Sequence, residues 1–154
     1  MQSELKQLKP FGSLSEEAFV AALKTADMLV RMLDRHLADH GLSHQQYNVL
    51  RILRGAGAEG IPTLAIAERL IECAPGMTRL LDRLEEKEMV RRERCRVDRR
   101  QVLCHLTPKG EELLDRLEPV IRPLVEASFD RVTPDELENY VETMERIREQ
   151  AEGL

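Results

Sequence analysis

Residues 61–107, IPTLAIAERLIECAPGMTRLLDRLEEKEMVRRERCRVDRRQVLCHLT, decide the fold. Thr63 stands ahead of a short apolar-periodic segment, Leu64 to Leu70, in which Leu64, Ala65, Ala67 and Leu70 supply the side to be buried. The small alanines permit a close helix crossing. Pro75 suits the first turn of a second helix reaching about Lys87, and Met77, Leu80, Leu81 and Leu84 follow at i, i+3, i+4 and i+7. Val90–Arg94 and Val102–Leu106 then pair as a hairpin around the turn Cys95 to Arg100, with Val90, Val102, Cys104 and Leu106 alternating as in a half-buried strand.

Two short helices followed by a basic ribbon are the layout of a winged helix-turn-helix, whose second helix enters the major groove of duplex DNA. With the apolar side of that helix turned inward, Gly76, Thr78, Arg79, Asp82 and Arg83 are left outside. Thr78 and Arg79 are candidates for base-edge contacts, and Arg83 for a phosphate. At the ribbon tip Arg96, Arg99 and Arg100 are placed for phosphates or a narrow minor groove. Asp98, an acid among arginines, either accepts hydrogen bonds within the turn or pairs with Arg99 or Arg100 to fix their direction.

The charge distribution agrees. The whole chain of 154 residues carries −5, yet Glu68 to Lys109 carries +3, and Arg91 to Arg100 sets six arginines against Glu93 and Asp98. A basic patch on an acidic body is an electrostatic footprint for a polyanion, and we read all six arginines as available to it.

Outward from this centre the chain reads as helical scaffold. Ser13 with Glu16 caps a long helix, Leu14 to His40, ended by Gly41; Ser43 with Gln46 caps a second helix to about Arg54. The stretch 55–60, GAGAEG, reads as a flexible turn and Ile61–Pro62 as a short edge strand, with Thr63 capping the helix that follows. Thr107 and Pro108 open a further helix, in which Pro119 and Pro123 predict a kink or break. Thr133, Pro134 and Glu136 start the last one, with Leu137, Tyr140, Val141, Met144 and Ile147 on one side.

The fold class is mainly α with a small β-wing, a winged helix-turn-helix with N- and C-terminal dimerisation helices. In this reading residues 1–154 form a single domain, 43–107 the DNA-binding lobe, and 14–40 with 108–150 the helices whose apolar excess seeks a second copy. Two lobes in a symmetric dimer would read a near-palindromic site at half-site spacings of roughly 34 to 36 Å or multiples of it.

Leu80-Leu81-Asp82-Arg83-Leu84-Glu85, Val90, Arg92, Asp98-Arg99-Arg100 and Leu106-Thr107-Pro108-Lys109-Gly110 together resemble the MarR family of bacterial transcriptional regulators. Leu42-Ser43, Gln46-Tyr47 and Val49-Leu50 fit the same pattern upstream, so the likeness spans about Leu14 to Ile147. It implies that Thr78 and Arg79 lie in a recognition helix, that Arg99 and Arg100 are wing arginines, and that Asp98 orients them. It also implies a homodimer on double-stranded operator DNA, most often a repressor, in many members released by a phenolic or aromatic carboxylate, an oxidant or a metal. Two departures stand out. Glu88 occupies a position where the family commonly has Gly, so the helix end there is expected to be redrawn. The first helix holds no cysteine, which removes the usual oxidant sensor.

Other readings have less behind them. Aromatic residues are 3% of the chain with no Trp, which weakens stacking on bases or sugars. Cys73, Cys95 and Cys104, an odd number, read as thiols; Cys73 just ahead of the second helix of the motif is the candidate for a redox-responsive regulator. Leu37, Tyr47 and Leu50 are compatible with a site for a small aromatic or phenolic effector, though ordinary core is the better reading of them. The histidines and Cys104 have no metal-ligand spacing, no cofactor motif is present, and an enzyme lacks any phosphate-cradling loop or nucleophile elbow. With no apolar leader or membrane-length run, the cytoplasm is the expected compartment. A winged-helix interaction module without DNA binding is the remaining alternative, favoured by net acidity and disfavoured by the arginine tip.

Overall fold

Helix α1 (Leu14–Ala38) begins where the Ser13 hydroxyl accepts from the Glu16 amide, and it ends in a Schellman turn. There Leu42 N–H reaches Leu37 O (3.1 Å) and Gly41 N–H reaches Ala38 O (2.8 Å), with Gly41 at φ +66°. A reciprocal capping box between Ser43 and Gln46 starts α2 (His44–Ala56), which buries Tyr47, Val49, Leu50 and Leu53. The expected flexible turn is more ordered than its composition implies: Gly55 and Ala56 extend α2, and Gly57–Glu59 form a 3-10 turn. This computed structural model describes residues 10–71, 76–95, 98 and 100–154.

The motif follows in order as β1 (Ile61–Pro62), α3 (Thr63–Arg69), α4 (Met77–Glu86), β2 (Val90–Arg94) and β3 (Val102–Leu106). The sheet is antiparallel with order β1-β3-β2, registered by Val90 opposite Leu106 and Arg94 opposite Val102. Both wing strands have the bounds read from the sequence. Then come α5 (Pro108–Ala127) and α6 (Pro134–Glu152), the latter opened by a capping box of Thr133 with Glu136.

Several expectations are corrected. Thr63 does not cap α3: its hydroxyl donates to Val102 O (3.4 Å) and lies 3.5 Å from Cys104 Sγ. That tether to β3 sets the rotation of α3, so the line Thr63, Ile66, Leu70 turns inward. Ile66 is fully buried, while Leu64 is 70% exposed and Ala67 is also on the surface. In the wing Val102 is exposed, whereas Cys104 is fully buried. Pro119 and Pro123 do not break α5, which runs continuously through both. Both prolines are exposed, so water can satisfy the carbonyls whose amide partners are missing. Pro75, expected in the first turn of α4, lies outside the described residues; α4 is preceded by Gly76 at φ +123°.

The chain divides into two compact units, residues up to Asp115 and Arg116–Leu154. In the first, Leu37, Leu50, Leu53, Ile66, Leu81, Leu84, Val90, Cys104 and Leu114 are fully buried. In the second, α6 buries nothing, and Val120, Val125, Tyr140, Val141 and Ile147 are exposed. No described helix is long and apolar enough to cross a membrane.

The junction after α4 is not redrawn by Glu88. That residue takes φ +60°, the one non-glycine at positive φ among the described residues, and completes the Schellman turn itself. Met89 N–H bonds Leu84 O (3.0 Å) and Glu88 N–H bonds Glu85 O (2.8 Å). The Glu88 carboxylate reaches Lys109 Nζ at 2.8 Å, and that ammonium holds its carboxyl below the usual range. Gly110 sits beside this turn, where a Cβ would meet Met89 O at 2.5 Å and Leu106 Cδ1 at 2.6 Å.

Denaturant titration of two variants checks this junction. Left-handed backbone costs a non-glycine residue about 1–2 kcal/mol, partly offset by glycine's extra unfolded-state entropy of roughly 0.5–1 kcal/mol. Glu88→Gly should therefore be neutral or stabilising by up to about 1 kcal/mol. Gly110→Ala should cost about 1–3 kcal/mol through overpacking against backbone. A destabilised Glu88→Gly beside an unaffected Gly110→Ala would contradict this geometry.

Candidate nucleic-acid interface

The amphipathic α4 is held by Leu81 and Leu84, both buried, with Met77 and Leu80 half-buried beside them. Thr78, Arg79 and Arg83 are thereby turned to solvent. A cleft of about 340 Å³, lined by Ser43, Gln45, Gln46, Gly76, Arg79, Leu80 and Arg83, joins the start of α2 to the first turns of α4. Partial positive charge at the helix starts adds there to two guanidinium groups, so the concavity suits an anion such as a backbone phosphate. Ser43 and Gln45 carried no such signal in the sequence, because only the fold brings α2 to this face.

In the wing, the Asp98 carboxylate accepts from Arg100 N–H (3.0 Å) and from Gln101 Nε2 (3.2 Å), and Gln101 N–H donates to Asp98 O (3.0 Å). These are hydrogen bonds within the turn, the first of the two roles open to this acid. Arg100 is exposed. Arg96 and Arg99, and the redox candidate Cys73, lie outside the described residues.

The reading of all six arginines as free for a polyanion does not hold. Arg91 is bonded to Glu93. Arg92 is bound to α4: its Nη2 reaches Asp82 Oδ1 (2.5 Å) and Glu85 Oε2 (2.6 Å), and its Nε reaches Glu85 Oε2 (2.8 Å). The Glu85 carboxylate also accepts Arg92 N–H at 3.0 Å. The Arg92 hydrogen bond holds the Glu85 carboxyl below the usual range against an opposing push from burial, and the same bond raises Arg92. Asp82, assigned to the outer face, is half-buried by this pairing. The signal was present in the sequence as two acids at i and i+3 on α4, but their partner could be identified only once β2 was placed.

Three further assignments meet the geometry as follows. Leu37 and Leu50 are fully buried and Tyr47 nearly so, its ring 5.9 Å from the Arg51 guanidinium carbon. Burial pushes the Cys104 thiol up, and the hydrogen bond with Thr63 only partly opposes it. The neighbouring His105 is engaged elsewhere, with Nδ1 3.3 Å from Ala58 O and Nε2 3.3 Å from Glu93 Oε1. Among the described residues no three His, Cys, Asp or Glu side chains gather as metal ligands.

Comparison with known proteins gives a consistent result. The MarR family profile matches residues 42–102. The chain is similar to a MarR transcription factor from Planctomyces limnophilus, at 38% identity and a TM-score of 0.68 over 88% of this chain and 98% of that one. It is 32% identical over 138 residues to the transcriptional regulator TtmR of Methylorubrum extorquens, covering 90% of this chain and 69% of that protein. Sco3205, a MarR family regulator from Streptomyces coelicolor solved in complex with DNA, matches at 27% identity with a TM-score of 0.77, over 94% of this chain and 92% of that one.

The Arg92–Glu85 pair makes a prediction about acid stability. A carboxyl depressed in the folded state contributes stability that is fully present above its unfolded value, near 4.5, and is lost as pH falls through the folded one. Glu85→Gln should flatten the decline in unfolding free energy below that pH, and because the pair is partly exposed should cost under about 1 kcal/mol at neutral pH. Parallel acid profiles for parent and variant would remove the pair from the account.

Proposed function

The chain belongs to the MarR family of transcriptional regulators, and from that premise we propose that it binds duplex operator DNA as a homodimer and acts as a repressor. The observation that carries this reading is the exposed row Thr78, Arg79, Arg83 on a helix whose other side is anchored in the core. Thr78 and Arg79 read base edges in the major groove, while Arg83 and the cleft beside it hold phosphate. The wing, through Arg96, Arg99 and Arg100 with Asp98 bracing the turn, lies along the neighbouring minor groove. Sco3205 was solved with DNA, which supports the same use of this fold here.

Dimerisation is assigned to residues 14–40 and 108–150, flanking the reading lobe at 43–107. Phe19 (66% exposed), Leu23 and Met28 on α1, and Tyr140, Val141 and Ile147 on α6, are large apolar groups left in solvent within one chain. A second copy would cover them and bring two lobes to a near-palindromic site. Repression follows from occupying DNA that polymerase needs, and places the protein in the cytoplasm. A small aromatic or phenolic effector that prefers another spacing of the lobes would release the operator. Leu37, Tyr47 and Leu50 are assigned to the core rather than to that effector.

Salt-dependent titration with the upstream intergenic duplex, beside a scrambled one, checks the DNA reading. Arg79→Ala should cost about 1–3 kcal/mol at the preferred sequence and narrow the gap to the scrambled duplex. Arg100→Ala should weaken both duplexes alike and reduce the salt slope by roughly 1. Parent-like binding by both variants at matched salt would displace the contact surface. Sedimentation should find a dimer for the full chain and a monomer or destabilised protein after truncation beyond Phe129; a stable truncated dimer would overturn the terminal-helix interface.

A further inference from the structure

We infer that Arg92 is a positioning residue, which sets the angle between α4 and the wing instead of touching DNA. The inference rests on the DNA-reading role assigned to α4 and the wing. β2 is an outer strand of the sheet, and Glu85 takes both the Arg92 backbone N–H on its free edge (3.0 Å) and the guanidinium (2.6 and 2.8 Å). The same guanidinium reaches Asp82, one turn earlier on α4. One side chain of β2 therefore grips the helix at two points a turn apart, which restrains rotation of α4 against the strand as well as separation from it. The planar fork of arginine allows this, whereas a lysine ammonium would act as a point charge.

Charge gives the bond a second consequence. Asp82 and Glu85 are carboxylates on the helix that carries Arg79 and Arg83, close to where a polyanion would lie. Arg92 neutralises them from behind and leaves the outward guanidinium groups to set the local potential. This separates the positioning role from direct contact by the sign of one effect. If the bridge only balances charge near DNA, replacing both acids by amides removes repulsion and strengthens binding. If it sets geometry, the same replacement weakens binding.

The test compares parent, Arg92→Gln, Arg92→Lys, Asp82→Asn/Glu85→Gln and the triple variant on the preferred duplex at fixed salt. Expected are losses of roughly tenfold for Arg92→Gln and for the acid-to-amide pair, no further loss in the triple variant, and partial recovery with Arg92→Lys. A readout without DNA accompanies it. Residual dipolar couplings from α4, β2 and β3 should fit one rigid body in the parent and need separate alignments in Arg92→Gln and in the amide pair. Unchanged or tighter binding by the amide pair, losses that add in the triple variant, or variants that still fit one rigid body would each overturn the inference. If the parent binds no DNA, the assigned function fails, and the couplings alone decide whether Arg92 sets this angle.

Discussion

The carbonyls of Glu88 and Met89 hold together the part of the molecule on which everything else depends. Thr107 donates its hydroxyl to Glu88 O (2.7 Å) and its amide to Met89 O (3.1 Å), and the same hydroxyl accepts Gly110 N–H (3.2 Å) to cap α5. The end of α4, the start of β2, the end of β3 and the start of α5 are therefore fixed within a few residues of one another. Backbone groups at a helix end need partners, and here Thr107 serves both sides, capping α5 and donating to the two carbonyls that follow α4. Left-handed backbone at residue 88 and a missing Cβ at 110 are the steric terms of that arrangement. Glu88 meets the first despite its side chain, which is held outward by Lys109. The C-terminal end of α4 is thereby anchored, whereas among the described residues its other end, at Gly76, has no side-chain cap.

Electrostatics is organised at a finer scale than counts of charge reveal. The segment from Glu68 to Lys109 is basic as a whole, but among the described residues its arginines differ in whether a carboxylate of the lobe holds them. Arg79, Arg83, Arg94 and Arg100 stand exposed; Arg91, also exposed, is bonded to Glu93, and Arg92 is half-buried against Asp82 and Glu85. Guanidinium groups that brace the scaffold lose little by being paired, whereas those meant for a polyanion must remain hydrated and accessible until it arrives. The acids scattered through the basic segment are thus part of how it is built, and a smaller net charge does not mean a weaker site.

What the sequence made legible was whatever is decided within a few residues. Capping boxes at Ser43 and Thr133, the wing strands Val90–Arg94 and Val102–Leu106, and the outward row on α4 all follow from short-range spacing, and the structure has them. The face of α3 was not legible, because Thr63 answers to β3 some forty residues later rather than to its own helix. Arg92 was misassigned for the same reason: alternation places a side chain on one side of a strand but says nothing about which acid waits there. Glu88 shows the converse failure. Propensity against left-handed backbone is a matter of about 1–2 kcal/mol, and hydrogen bonds converging on the turn outweigh it.

The two prolines of α5 extend this reasoning to the second unit. With about 100° between successive helical residues, Leu117, Ile121, Leu124 and Val125 cluster on one side, and Pro119 and Pro123 fall opposite them. Leu117 and Ile121 are buried while both prolines are exposed, as that arrangement requires. Carbonyls left without amide partners at the prolines need water, so that side must remain wet in any assembly. A unit of about 40 residues, Arg116–Leu154, is at the size where one chain encloses little core. Its α6 accordingly buries no residue, yet has a well-formed capping box and a row of apolar side chains. Within one chain such a helix is held by its cap and its own backbone ladder, and its exposed apolar row is what the proposed association would cover.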